Sequence, residues 1–225
     1  MANNREAADL SKWTPRSLPS AKPLQGRTCR LERLDPDRHG ESLAKVFVSA
    51  PAGTWAYLPY GPFTDLPAFT GWLAGVAAKS DPLFHAIIDA KPGKAAGLAS
   101  LMRIDPANGV IEVGHIHFGP SLKQTPAATE AIFLLMSRVF DELGYRRLEW
   151  KCNALNQASR TAALRFGFTY EGTFRQAVIV KGRNRDTAWF SLLDSEWPAV
   201  KENFQRWLDP HNFDASGCQK SSLRV

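Results

Sequence analysis

The stretch of residues 123–168 constrains the fold more than any other part of the chain. A turn of small and polar residues, Lys-Gln-Thr-Pro-Ala-Ala-Thr-Glu, comes directly before an apolar run with helical spacing over residues 126–143. A strand is predicted at residues 147–152, followed by a short helix at residues 156–166 that ends at Gly167. A strand, a helix and a second strand in this order predict a parallel strand pair joined by a right-handed connection.

The remaining segments predict one mixed sheet. Hairpin-like turns separate three strands before the central helix, and a long hairpin follows the short helix. The predicted strands are 24–34, 83–89, 96–104, 110–118, 147–152, 168–180 and 186–193, and the predicted helices are 36–48, 64–79, 126–143, 156–166 and 195–208. This order predicts an α/β (α+β) fold, with a mixed, mostly antiparallel sheet of about seven strands and helices on both faces.

The sequence also predicts one domain with a tail at each end. Residues 1–23 contain several Pro and Ser without an apolar period, and they predict a flexible N-terminal tail. Residues 24–208 form the predicted domain. Residues 209–225 predict a polar C-terminal tail.

Composition places the chain among ordinary globular proteins. Of its 225 residues, 44% are hydrophobic and 22% are charged, and the length suffices to bury one core. The net charge of +6 favours anionic partners, but no basic block with interleaved aromatics supports nucleic-acid binding. No run is long enough to cross a membrane, no secretion signal is visible, and the three cysteines lack metal-ligand spacing. A cytoplasmic protein with reduced thiols and no metal is therefore expected.

The start of the central helix is suited to binding an anion. Thr125 is placed as the N-cap, Pro126 occupies the first helical position, and small side chains follow. A ligand can therefore approach the unpaired N–H groups of the first turn, which together with the helix dipole favour a phosphate group. The alternative is that Thr125 and Pro126 are only a good helix start.

Six short motifs occur in the order typical of one enzyme family. They are Ile-Glu-Val-Gly-His (111–115), Ala-Thr-Glu-Ala (128–131), Asn-Gln-Ala-Ser (156–159), Tyr-Glu-Gly-Thr-Phe-Arg (170–175), Gly-Arg-Asn-Arg-Asp (182–186) and Phe-Ser-Leu-Leu-Asp-Ser-Glu-Trp (190–197). Over most of its length the chain resembles the GNAT superfamily of acyl-CoA-dependent N-acetyltransferases, and within it the RimJ/RimL-like group that acetylates protein N-terminal amines. The resemblance implies acetyl-CoA as cosubstrate, an amine as acceptor and no metal.

The resemblance also implies which residues hold coenzyme A. The family's loop before the central helix has Gln or Arg, then Gly, then Gly or Ala, and here Lys123, Pro126 and Ala128 occupy those places. Lys123 keeps a positive charge near the pyrophosphate, whereas Pro126 departs from the pattern because it lacks an N–H. The predicted cofactor-binding residues are Lys123, Thr125, the N–H groups of Ala127, Ala128 and Thr129, and Asn156, for which a purely structural N-cap is the alternative.

Direct acetyl transfer needs a base, because a typical amine is mostly protonated at neutral pH. Glu112, acting through water, is the predicted base, and His115 is the second candidate. Simple alternation places the two on opposite faces of a strand, so both face one pocket only if a β-bulge intervenes, as the family resemblance implies. The alternatives are a surface or salt-bridged carboxylate for Glu112 and a buried structural histidine for His115.

The remaining site residues are predicted from the short helix and from the acceptor side. Ser159 is the predicted acid for the leaving thiolate, because it matches a Ser of the RimL-like pattern and this helix lacks the Tyr that many family members use. Its alternative is a hydroxyl that bonds back to the helix backbone. Trp55 and Tyr57 are predicted to flank the acceptor, and Arg175 and Asp186 to select its charge unless they form a surface ion pair.

The leading prediction is an acetyl-CoA-dependent N-acetyltransferase that works by direct attack in a ternary complex. Its acceptor is a protein N-terminal amine or a small-molecule amine, and the protein is a monomer or a homodimer. The main alternative is a catalytically degenerate module with the same fold, which binds coenzyme A or serves as an interaction module. Pro126 and the missing Tyr support that alternative.

Overall fold

The computed structural model describes residues 9–223, and the outer parts of both predicted tails, residues 1–8 and 224–225, lie outside the described residues. Eight strands form one sheet: β1 (Leu24–Gln25), β2 (Cys29–Arg33), β3 (Leu83–Asp89), β4 (Ala95–Asp105), β5 (Val110–Phe118), β6 (Arg147–Asn153), β7 (Thr169–Val180) and β8 (Arg183–Leu193). The strand order is β1-β2-β3-β4-β5-β6-β8-β7, and every neighbouring pair is antiparallel except β5 and β6. The predicted α/β fold with a single parallel pair is confirmed.

The eighth strand arises at the N-terminal edge, where the sequence predicts one strand over residues 24–34. The structure divides this segment into β1 and β2 at residues 26–28. The carboxylate of Glu130 accepts the backbone N–H groups of Arg27, Thr28 and Cys29 at 2.9, 2.6 and 3.1 Å. A side chain one hundred residues away therefore holds the interruption, which local sequence does not reveal.

Five helices pack on the sheet: α1 (Pro36–Phe47), α2 (Leu66–Ala77), α3 (Pro126–Ser137), α4 (Gln157–Arg165) and α5 (Trp197–Leu208). Side chains cap the first four of them, from Asp35, Asp65, Thr125 and Asn156 respectively. A π-helical turn at Arg138–Glu142 extends α3, and Gly144, with φ of 66°, ends it in the left-handed conformation typical of a glycine after a helix.

The two faces of the sheet bury different cores. Helices α3, α4 and α5 cover one face over Leu31, Leu101, Val113 and Phe190 (we call this the α3 face). Helices α1 and α2 cover the opposite face over Phe84, Ala86 and Leu98 (the α1 face). On β5, Ile111 and Val113 point to the α3 face, so alternation turns Glu112 to the α1 face.

Both terminal segments contact the domain within the described residues. Trp13 donates its indole N–H to the carbonyl of Ala107 at 2.7 Å, and Arg138 donates to the carbonyls of Ser20 and Lys22 at 3.1 and 2.8 Å. At the other end, Trp207 donates to the side chain of Gln219 at 2.8 Å. These segments therefore lie against the domain surface, and the division into a domain with two tails stays a prediction.

Candidate functional site

A cleft opens where β5 and β6 stop pairing. The parallel ladder joins Val110 to Arg147, Ile111 to Leu148 and Glu112 to Glu149, and no further pair follows although both strands continue. On its other side β5 has a β-bulge against β4 at this level, since Ser100 pairs with Gly114 but Leu98 pairs with His117. The two strands therefore stop pairing just beyond Glu112, and this is where we place the candidate cleft.

The bulge brings His115 to the same face as Glu112. His115 has a left-handed φ of 50°, and its ring lies 5.0 Å from Phe84 and 5.5 Å from Tyr60, both on the α1 face. Burial lowers the pKa of His115 to about 4, and the charges of Arg103, Arg185 and Lys79 add to this effect. His115 is therefore neutral at pH 7, and it is a weak base there.

Glu112 is buried and is held between two cations. Its side-chain Oε2 lies 3.1 Å from Arg103 Nη1 and 3.1 Å from Lys151 Nζ, and only 4% of the residue is exposed. Burial raises the pKa of Glu112 above its ordinary value, although the charges of Lys151 and Arg103 oppose the rise. A carboxylate with a raised pKa takes up a proton more readily than an exposed glutamate does.

The ion pair of Glu112 belongs to a longer charged network on one face of the sheet. Lys151 also contacts Glu149 at 2.6 Å, and Arg147 bridges Glu149 and Glu171 at 2.8 Å each. Lys151 and Arg147 are not among the site residues predicted from the sequence. Their signal is the alternation Arg-Leu-Glu-Trp-Lys at residues 147–151, which places three charged residues on one face of a strand.

Helix α4 presents Ser159 and Asn156 at the side of β6. The side chain of Asn156 accepts the backbone N–H of Ser159 at 3.1 Å and so caps the helix. This is the structural role given above as the alternative for Asn156. Ser159 Oγ accepts the indole N–H of Trp150 at 3.0 Å, which leaves the hydroxyl proton of Ser159 for another acceptor. Burial raises the pKa of the neighbouring Cys152 thiol, so this cysteine is a poor nucleophile.

The first turn of α3 offers fewer free donors than the sequence predicts. Thr125 Oγ1 accepts the N–H of Ala128 at 3.3 Å, and the Thr125 carbonyl accepts the N–H of Thr129 at 3.5 Å. Among residues 9–223, the N–H groups of Gln124 and Ala127 have no backbone acceptor. The N–H groups of Gln124 and Ala127 are therefore the donors best placed for an anion, and exposed Lys123 lies beside them. The N–H groups of Ala128 and Thr129 already make long hydrogen bonds to Thr125, so an anion would share these donors with Thr125.

The aromatic loop before α2 is arranged differently from the prediction. Trp55 is 1% exposed and stacks on His117 at 5.3 Å, so it forms part of the core and does not present a wall to a ligand. The correction arises because the loop folds inward onto α1, which local composition does not show. Tyr57 stays exposed, and its hydroxyl donates to the carbonyl of Leu155 at 3.2 Å across the cleft.

The β7–β8 hairpin reaches over the same end of the cleft. Lys181, at the hairpin tip, donates from Nζ to the carbonyls of Trp55 and Tyr60 at 2.9 and 3.0 Å. Hairpin and aromatic loop therefore form an arch. Lys181 is not among the predicted site residues, because a lysine in a hairpin turn is ordinarily solvated.

Asp186 makes structural hydrogen bonds within the β7–β8 hairpin, and its role in selecting acceptor charge stays a prediction. Its Oδ1 accepts the backbone N–H of Gln176 at 2.7 Å and the side-chain amide of Asn184 at 3.0 Å. These bonds fix the irregular pairing of β7 with β8, where Gln176 has φ of 50°. Arg175 is exposed on β7 and makes no ion pair with Asp186 among the described residues.

No helix within residues 9–223 has the length and apolar character needed to cross a bilayer. No group of three or more His, Cys, Asp or Glu side chains in that part of the chain is placed to hold a metal ion.

Known proteins match both the sequence and the fold. A family model described as "Acetyltransferase (GNAT) domain" matches residues 29–169. A GCN5-related N-acetyltransferase from Brucella melitensis is 53% identical, with a TM-score of 0.93 over 95% of this chain and 97% of that one. RimL, a ribosomal L7/L12 alpha-N-protein acetyltransferase solved in complex with coenzyme A, shares the fold at 21% identity, with a TM-score of 0.66 over 76% of this chain and 98% of its own.

A curated relative matches over a shorter range. It is a candidate ribosomal N-acetyltransferase, YdaF, of Bacillus subtilis, 30% identical over 109 residues. That match covers 48% of this chain and 59% of the relative's own length. The family model covers more than half of the chain, and together with the fold it shows that the chain belongs to the GNAT acetyltransferase family.

Proposed function

We propose that this protein is an acetyl-CoA-dependent N-acetyltransferase that acetylates a primary amine by direct attack in a ternary complex. The observation that carries the proposal is the buried carboxylate of Glu112 at the point where β5 and β6 separate. A base at this position faces a ligand that enters between the strands from one side and an amine that arrives under the arch from the other. The names of the relatives agree with this chemistry.

The residues at the start of α3 fit coenzyme A. The N–H groups of Gln124 and Ala127, the dipole of α3 and the charge of Lys123 suit a pyrophosphate, and the alanine side chains leave space for it. Pro126 removes one donor but stabilises the helix start. Bound there, acetyl-CoA supplies the activated acyl group.

Glu112 is the proposed general base. The amine nitrogen forms a bond to the acyl carbon, the carbon–sulfur bond breaks, and the proton leaving the amine passes through water to Glu112. The raised pKa of Glu112 suits this task, because a stronger base drives the proton transfer further. His115 is less suited, since burial lowers its pKa to about 4 and so makes it a weaker base than an ordinary imidazole.

Lys151 is expected to set the pH at which Glu112 works. Its charge lowers the pKa of Glu112, so Lys151→Met raises that pKa further. The base must be ionised, and activity is lost as pH falls through its pKa. We therefore expect the acid limb of kcat/KM to move to higher pH in the variant, measured between pH 5 and pH 9. Lys201→Met, which breaks the separate Lys201–Asp141 ion pair at 3.0 Å, is the control and should leave the limb in place.

Ser159 is the proposed acid that protonates the departing thiolate. We expect Ser159→Ala to lower kcat about 100-fold, with little change in the KM for the acceptor. Ser159→Thr keeps the hydroxyl and should restore part of the rate. A merely structural Ser159 predicts the opposite pattern: full activity, with a loss of about 1 kcal/mol in the free energy of unfolding from the bond to Trp150.

Release of free coenzyme A thiol from acetyl-CoA tests the function directly. The panel comprises peptides with free N-termini, polyamines and aminoglycosides, each with and without protein. Turnover with at least one class of amine is expected. Tight binding of acetyl-CoA without turnover on any amine would favour the degenerate module, and the absence of both would refute the proposal. Cytoplasmic location and a monomeric or homodimeric state are part of the same proposal.

A further inference from the structure

Arg185 is a cation in the acceptor side of the cleft that pairs with no carboxylate. It is partly buried on β8, its Nε–H is buried without a hydrogen-bond partner, and among residues 9–223 it makes no ion pair. Arginine in such a position ordinarily has an anionic partner, because an unpaired buried charge or donor is costly. The missing partner is the observation from which we infer a ligand.

The strand geometry directs Arg185 toward the candidate base. Ala188, Phe190 and Leu192 point to the α3 face, so Arg185 and Trp189 point to the opposite side with Glu112. The Trp189 ring lies 3.7 Å from Lys151 Nζ, the cation that also contacts Glu112.

The position of Arg185 along β8 places it under the arch. Thr187 pairs with Asn153 at the end of β6, and Arg185 lies two residues closer to the hairpin tip than Thr187. Arg185 is four residues from Lys181, which lies at that tip. The charge of Arg185 also contributes to the low pKa of His115, which agrees with this placement.

Other unpartnered donors belong to the same region. The indole N–H of Trp189 and the hydroxyl of Tyr60 are buried without a partner, and the Tyr60 ring stacks on His115 at 5.5 Å. Donors need acceptors, and a carboxylate offers two oxygens with about four acceptor positions. The two buried carboxylates of this region already have cationic partners: Glu112 contacts Arg103 and Lys151, and Glu149 contacts Lys151 and Arg147.

We propose that the acceptor amine carries a carboxylate and that Arg185 binds this carboxylate while the amine faces Glu112. The inference rests on the proposed transferase function and names its substrate class. A carboxylate stays ionised when the neighbouring amine loses its proton. One molecule can therefore supply both the anion that Arg185 lacks and the neutral amine that the reaction needs. Polycationic amines, such as polyamines and aminoglycosides, are poor acceptors on this account, because Arg185, Arg103 and Lys151 repel them.

The test compares acceptors that differ only in charge. Two peptides share an N-terminal Ser and carry either Glu or Lys at the second and third positions, and free serine is compared with serine amide. These arms distinguish a side-chain carboxylate of a peptide from the α-carboxylate of a small amine. The wild-type protein should favour the carboxylate-bearing member of at least one pair by roughly 10- to 100-fold in kcat/KM. Equal rates in both pairs, or a preference for Lys, would overturn the proposal.

Variants of the hairpin arginines connect the preference to Arg185. Arg185→Gln should abolish the preference: kcat/KM for the carboxylate-bearing acceptor should fall, and that for its partner should stay the same or rise. Arg185→Lys keeps the positive charge and should keep part of the preference. Arg183→Gln, the same change at an exposed neighbour, is the matched control and should keep all of it. A loss in Arg185→Gln that is equal for both members of a pair, with unchanged affinity for coenzyme A, would contradict a role in recognition.

A binding measurement separates this inference from the proposed function. If no amine is acetylated, the same peptides are titrated in the presence of coenzyme A, with tryptophan fluorescence as the readout. Tighter binding of the Glu peptide, lost in Arg185→Gln, would support the inference although the transferase proposal had failed. Equal binding of the Glu and Lys peptides would reject it.

Discussion

Replacing Glu112 with glutamine should lower kcat by about 100- to 10,000-fold, the usual contribution of a general base. Glutamine has nearly the same shape and still accepts hydrogen bonds from Arg103 and Lys151, but it cannot take the proton of the amine. Acetyl-CoA binding should be retained. Because burial raises the pKa of Glu112, the acid limb of the wild-type pH profile should lie above the ordinary pKa of a glutamate. This limb should be absent from the residual activity of the variant.

Glu149→Gln provides a matched control for this experiment. Glu149 lies opposite Glu112 in the β5–β6 ladder, is similarly buried and contacts the same lysine at 2.6 Å. The control removes one negative charge from the same network but leaves the proposed base. An equal loss of kcat in both variants would show that activity depends on the charge balance of the network, and Glu112 would lose its assigned role.

The order of the elements could be predicted because their signals are local. Thr125 and Pro126 mark the start of α3, and Gly144 its end, by conformational preferences of single residues. The single parallel pair follows from the strand–helix–strand order alone.

The contacts that shape the site could not be predicted in the same way. The ion pair of Glu112 with Lys151 joins two strands, and Lys181 binds a loop more than one hundred residues away. Trp55 belongs to a loop whose composition predicts exposed aromatic residues, but its side chain lies in the core. In each case the deciding partner is distant in sequence, and only the three-dimensional pairing identifies it.

Ala128→Phe should abolish both turnover and the stabilisation of the protein by acetyl-CoA. Ala128 lies in the first turn of α3, where a large ring would cover the N–H groups that face the pyrophosphate. A ligand at one hundred times its dissociation constant stabilises a protein by about 2.7 kcal/mol. For a chain of this size that raises Tm by about 5 to 10 °C. The variant should show no such shift in thermal unfolding monitored with and without acetyl-CoA.

Ala68→Phe is the control that isolates the ligand effect from the effect on the helix start. Ala68 is exposed and occupies the third position of α2, as Ala128 does in α3. The side chain of Asp65 accepts the N–H of Ala68 at 2.8 Å, just as Thr125 accepts that of Ala128. Ala68→Phe should keep the full shift. Because Ala128 is buried and a large ring there can also destabilise the fold, Lys123→Glu at the neighbouring exposed position supplies a second variant. A full acetyl-CoA shift in both Ala128→Phe and Lys123→Glu would mean that the pyrophosphate binds elsewhere, and the start of α3 would then be a helix cap and nothing more.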